Sequence, residues 1–104
     1  MIFIETPVFT SQIVDLLTDV EYGAFQQNLA ENPEAGDLIK GAGGIRKIRV
    51  AAKGHGKRGG ARVIYYHFVS ESRIALLFVF PKNEQGNLTS DQKKALAKVV
   101  ENWS

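Results

Sequence analysis

Two apolar runs constrain this chain most: residues 61–69, which carry Val63, Ile64, Tyr65, Tyr66 and Phe68, and residues 74–80, which have no polar position. Only Ser70, Glu71, Ser72 and Arg73 separate them. β-branched and aromatic residues suit a pleated surface, and runs without polar alternation belong to strands covered on both faces. Joined by so short a turn, the two runs are expected to pair antiparallel, with residues 61–69 central in a sheet.

A third strand is expected over residues 45–51. There Ile48 and Val50 share one face, while Lys47 and Arg49 share the other, as in a half-buried strand with a basic exposed side. Upstream, residues 1–4 read as a short first strand. Thr6 followed by Pro7 is a helix start, and Phe9, Ile13, Leu16 and Leu17 recur at helical spacing. The segment Thr18-Asp19-Val20-Glu21 is a capping box opening a second helix, whose apolar face is Tyr22, Phe25 and Leu29 and which ends at Asn32-Pro33. Residues 35–44 form a polar, glycine-bearing connector. A last helix is expected over residues 88–103, capped by Thr89 and Gln92, with Leu96, Val99, Val100 and Trp103 as its buried stripe. The fold class expected is α+β: a strand, a helical hairpin, a three-stranded antiparallel meander packed by that hairpin on one side, and a C-terminal helix. Residues 1–104 are expected to be one domain.

Composition narrows the function. The chain has no cysteine, which rules out disulfides and thiolate metal sites and fits a reducing compartment. The first residues lack the positive start of a signal peptide, and no apolar run is long enough to cross a bilayer, so the expected location is cytoplasmic. The net charge is only +2, but its distribution is uneven. Residues 40–62 hold Lys40, Arg46, Lys47, Arg49, Lys53, Lys57, Arg58 and Arg62 with no acid among them, +8 in this stretch against −6 elsewhere. Such a segregated field favours a polyanionic partner over a merely solvated face.

Antiparallel geometry gathers part of this charge. If Val69 faces Ile74, Arg62 lies opposite Pro81 and beside Lys82. If Ala51 or Ala52 pairs near Arg62, the loop 53–60 closes at the same end of the sheet. Lys53, Lys57, Arg58, Arg62 and Lys82 would then converge. Such a cluster suits RNA cleavage by the 2′-OH, in which the phosphorane needs positive charge and two protons must be moved. Arg62 and Lys82 are candidates to clamp the phosphate, because a guanidinium is a permanent fork for its oxygens. Lys53 and Lys57 are candidates for proton handling, since crowding by other cations lowers a lysine pKa. Glu84 is the nearest acid and would act as a base or orient a lysine. Arg46, Lys47, Arg49 and Arg58 are expected to hold RNA backbone. The same residues also fit binding without cleavage.

The loop Gly54-His55-Gly56-Lys57-Arg58-Gly59 matches a dinucleotide-binding pattern, but a strand follows it where that pattern needs a helix. Its glycines suit close approach of backbone to phosphate, or simply a hairpin turn. His55 is either a general acid–base or an exposed loop residue without a role, and His67, within an apolar strand, reads as structural. Tyr65 and Tyr66 point to opposite faces, so one is expected in the core.

Residues Gly43-Gly44-Ile45-Arg46-Lys47-Ile48-Arg49-Val50, Gly56-Lys57-Arg58-Gly59-Gly60-Ala61-Arg62-Val63-Ile64-Tyr65-Tyr66, Lys82-Asn83-Glu84 and Leu88-Thr89-Ser90-Asp91-Gln92-Lys93-Lys94 closely resemble HigB-type toxins of the RelE/ParE superfamily. The resemblance runs essentially the whole length. It implies a RelE-like fold and a toxin of a type II toxin–antitoxin system. It further implies a ribosome-dependent mRNA endonuclease acting in the 30S decoding site without a metal or other cofactor, and a neutralising helix-turn-helix antitoxin of the HigA type. The basic active-site pattern carries over to Lys53, Lys57, Arg62 and Lys82, the last standing where relatives often have Arg. Some relatives also place a Tyr or His near the C-terminus. This chain has only Glu84 as a possible counterpart, which leaves the general acid and base unassigned. Two other functions fit the same features: a ParE-like toxin that binds gyrase, and a basic nucleic-acid-binding module without chemistry.

Overall fold

The computed structural model describes residues 1–50, 60–81 and 88–103, and its elements run β1 (Ile2–Glu5), α1 (Pro7–Leu16), α2 (Asp19–Glu31), β2 (Asp37–Leu38), β3 (Arg46–Val50), β4 (Ala61–Phe68), β5 (Arg73–Pro81) and α3 (Ser90–Glu101). This is an α+β chain with a RelE-like fold. Its five-stranded sheet has the order β1-β5-β4-β3-β2, with β1 parallel to β5 and the other neighbours antiparallel.

The local signals act as their chemistry dictates. Thr6 accepts from the Phe9 N–H at 3.1 Å and donates to the Leu77 carbonyl at 2.8 Å, so the α1 N-cap also pins the helix to β5. Thr18 and Glu21 close a capping box on α2, and Thr89 and Gln92 close another on α3. Strand alternation then divides the core in two. Phe9, Ile13, Leu17, Phe25 and Leu29 of the first two helices pack on Val63, Tyr65, Ile74 and Leu76. On the other face Ile64, Ala75, Leu77 and Phe80 pack with Leu96, Val100 and Trp103 near α3. The hairpin β4–β5 is therefore covered on both faces, by α1–α2 on one and by α3 on the other, which is why residues 63–66 and 74–80 run without a charged position.

Several expectations need correction. The connector 35–44 carries the two-residue edge strand β2, because the Ile39 N–H reaches the Ile45 carbonyl at 2.9 Å and folds the segment into a tight hairpin with β3. The sheet thus has β2 in addition to the first strand and the three-stranded meander that were expected. In α3 the stripe is incomplete: Leu96, Val100 and Trp103 are half-buried, Val99 is 44% exposed, and no residue of the helix is fully buried.

The register also differs. The turn takes up residues 69–72, with Ser72 at φ 54°, so Phe68 rather than Val69 heads the hairpin and faces Arg73. A bulge between Ile64 and Tyr65 then shifts the pairing by one residue, and Arg62 faces Phe80 instead of Pro81. On the other side Arg62 faces Arg49, not Ala51 or Ala52.

Tyr65 is the core tyrosine and is fully buried. Its hydroxyl donates to the Pro33 carbonyl and accepts from the Gly36 N–H, both at 2.9 Å. Burial pushes its pKa up, partly offset by the Gly36 bond. Gly36 is required by proximity: a Cβ there would lie 2.8 Å from the Lys47 carbonyl oxygen and from the Tyr65 ring and hydroxyl. Tyr66 is half-buried on the opposite face, edge-on to Phe68 with centroids 4.8 Å apart. Gly44, at φ +98°, lets the backbone pass over its ring. His67 is half-buried, and its buried Nδ1 has no hydrogen-bond partner among the described residues.

Candidate nucleic-acid interface

The site is built by strand alternation. On β3, Ile48 and Val50 turn toward the α1–α2 core, which sends Lys47 and Arg49 to the α3 side. On β4, Val63 and Tyr65 belong to the α1–α2 core, so Arg62 joins Ile64 on the α3 side. The register then sets the spacing. Arg49 is directly opposite Arg62, and Lys47 is opposite Ile64, hence diagonal to Arg62. Directly opposed side chains have Cβ atoms about 5 Å apart and diagonal ones about 7–8 Å, so three cations share one small patch.

These side chains line a cleft of about 290 Å³ with Asp37 of β2, the neighbour of Lys47 across the edge pair. A second cleft of about 230 Å³ adjoins it at Arg62 and takes in Lys40, Lys47 and Lys93. Like charges placed opposite each other on a sheet are destabilising. A phosphate oxygen between them reverses the sign of that interaction, and arginine holds phosphate in a two-pronged geometry.

Arg46 is not brought to this patch. It pairs with Tyr65 and so points to the other face, where its guanidinium donates to the carbonyls of Glu34 at 3.2 Å and Gly36 at 2.7 Å. Arg46 and Tyr65 together fasten the 33–36 segment to the sheet.

Lys53, His55, Lys57, Arg58, Lys82 and Glu84 lie outside the described residues. The strand ends that lead to them do meet: Val50 faces Ala61, and Ala61 faces Pro81, so three neighbouring strands reach the same rim. Among the described residues no group of His, Asp and Glu side chains is arranged to hold a metal ion, and no helix is long and apolar enough to cross a membrane. Lys40 and Lys93 are additions to the site. Lys40 was visible as the start of the basic run, but Lys93 reads in sequence as one more solvated position on the last helix. Only the sheet-to-helix packing puts it near Arg62.

The family of the RelE toxin of the RelE/RelB toxin–antitoxin system matches residues 22–104, from the second helix through the sheet to the last helix. That match spans most of the chain, both clefts and all the cationic strands, and the chain belongs to the RelE toxin family.

Proposed function

We propose that this chain is a single toxin domain, residues 1–104, that halts translation in the cytoplasm by cutting mRNA on the ribosome. It belongs to the HigB branch and is held inactive by a helix-turn-helix antitoxin of the HigA type. The observation that carries this reading is the Arg49–Arg62 pair with Lys47 beside it, a like-charge cluster on one sheet face of a RelE-family chain.

The reaction is an in-line displacement. The 2′-oxygen loses its proton to a base and bonds to the adjacent phosphorus. The bond from phosphorus to the 5′-oxygen breaks, and that oxygen takes up a proton. The products are a 2′,3′-cyclic phosphate and a free 5′-hydroxyl. Arg62 and Lys82 are assigned to stabilising the extra negative charge on the phosphorane, and Lys47, Arg49 and Arg58 to holding flanking backbone. Lys53 and Lys57 are assigned to proton transfer, and Glu84 to the base or to orienting a lysine. Electrostatic stabilisation of this kind is worth roughly two to three orders of magnitude in rate per donor.

Primer extension on a message undergoing translation in vitro tests the reading. Added toxin is expected to produce new, discrete 5′ ends within the coding region. Blocked translation over intact message would overturn the nuclease and favour a binding toxin.

A further inference from the structure

Arg62 stands where the two clefts meet, and the second has its own chemistry. It is walled by Lys40, Lys47 and Lys93, and its apolar surface comes from Ile39, Leu88 and the residues beneath them. Each ammonium arrives on a different element: Lys40 follows β2, Lys47 is on β3, and Lys93 is in the first turns of α3. Among the described residues no acidic side chain lines this cleft.

The geometry is held in place. The Ile39 N–H to Ile45 carbonyl bond at 2.9 Å and the Ala42 N–H to Ile39 carbonyl bond at 3.2 Å fix the turn that carries Lys40, and Ala42 is fully buried. The turn abuts α3, since a Cβ on Gly43 would stand 3.5 Å from the Ala97 methyl. The Thr89–Gln92 capping box sets the start of the helix that carries Lys93.

We propose that this cleft is a subsite for one nucleotide of single-stranded RNA beside the cleaved phosphate, its own phosphate held between Lys40 and Lys93 and its base lying against Ile39 and Leu88. At about 230 Å³ the space is below that of a typical drug-sized pocket, which suits one nucleotide and not a longer stretch. A carboxylate from an acidic peptide would satisfy the ammoniums but leave the apolar surface wet, whereas a nucleotide uses both. The choice of RNA as the polyanion rests on the endonuclease reading above.

The test uses a short 2′-O-methyl oligoribonucleotide, which binds but cannot be cleaved, followed by fluorescence anisotropy across a salt series. Each single-strand phosphate contact contributes about 0.7 to the slope of log K against log salt, so the double variant Lys40→Gln/Lys93→Gln, which releases the one phosphate held between them, is expected to flatten the slope by about 0.7. An abasic version of the oligonucleotide is expected to bind the wild type several-fold more weakly than the parent, and Leu88→Ala is expected to close that gap. An unchanged slope in the double variant, or no difference between parent and abasic strands, overturns the subsite. So does a double variant that keeps full RNA affinity while losing affinity for poly-glutamate, which would give the cleft to an acidic protein. The outcomes separate from those of the endonuclease: cleavage with an unmoved slope removes the subsite alone, and a flattened slope beside intact message removes the nuclease alone.

Discussion

Arg49 of β3 lies directly across the ladder from Arg62 of β4, and both side chains leave the sheet on the face turned away from α1 and α2. Two guanidiniums in a cross-strand pair repel each other, a repulsion that works against folding and that the Asp37 carboxylate in the same cleft offsets in part. A cost of this kind at a cleft marks a place where function and stability pull apart.

The first prediction follows from that repulsion. Arg49→Gln should hold or raise stability at low salt by about 0.2–1 kcal/mol, the range for cross-strand pairs, and the gain should shrink as salt screens the charges. The same variant should bind RNA more weakly. Thermal melts at two ionic strengths, paired with RNA binding, check both halves.

Gly36 and Tyr65 form a tight structural joint under the site. Gly36→Ala drives a methyl to within 2.8 Å of the Lys47 carbonyl and the Tyr65 ring, and should destabilise by about 1–3 kcal/mol. Tyr65→Phe strands the Gly36 N–H and the Pro33 carbonyl, and should also cost about 1–3 kcal/mol. Urea unfolding of the two variants measures these losses.

Tyr22 supplies a pH signature. Its hydroxyl donates to Glu5 at 2.5 Å, and burial, followed by that bond and the nearby carboxylate, pushes its pKa well above the usual phenol value. The folded state therefore holds this proton more tightly than the unfolded chain does. The stabilisation is complete below the unfolded phenol pKa of about 10 and is lost as pH rises beyond it. Stability should fall on the alkaline side, and Tyr22→Phe should flatten that fall while lowering stability near neutrality. Denaturation midpoints from neutral pH upward decide it.

The last helix should be the most cap-dependent element, because none of its residues is fully buried. Thr89→Ala should remove about 0.5–2 kcal/mol and speed amide exchange in residues 90–101 more than in the sheet. Equal acceleration throughout would mean that α3 unfolds only with the whole molecule.

Apart from the short edge strand β2, the strand and helix identities were legible because local chemistry specifies them. Thr6-Pro7, the two capping boxes and the β4–β5 apolar runs all act where the sequence places them. The alternation of Lys47 and Arg49 against Ile48 and Val50 likewise predicts the face each side chain takes. Register was not legible, because it depends on non-local choices. The left-handed Ser72 and the bulge at Ile64 and Tyr65 leave no clear mark in the sequence, and together they put Arg62 opposite Phe80 where Pro81 was expected; the separate β3–β4 pairing puts Arg49 opposite Arg62 where an alanine was expected. Arg46 shows the opposite failure. Its charge suggested RNA, but its place one position from Lys47 sends it to the other face and onto backbone carbonyls. Lys93 was hidden for a third reason, since only tertiary packing carries a helix residue to a cleft at Arg62.

The most direct measurement is the rate of message cleavage on programmed ribosomes by the wild type and by Arg62→Ala, together with the affinity of each for the ribosome. A phosphate clamp acting in the transition state predicts a rate loss of about 100-fold or more, with affinity changed far less. Parallel losses in rate and affinity, or unimpaired cleavage, would contradict the assignment of Arg62 as the charge that stabilises the reacting phosphate.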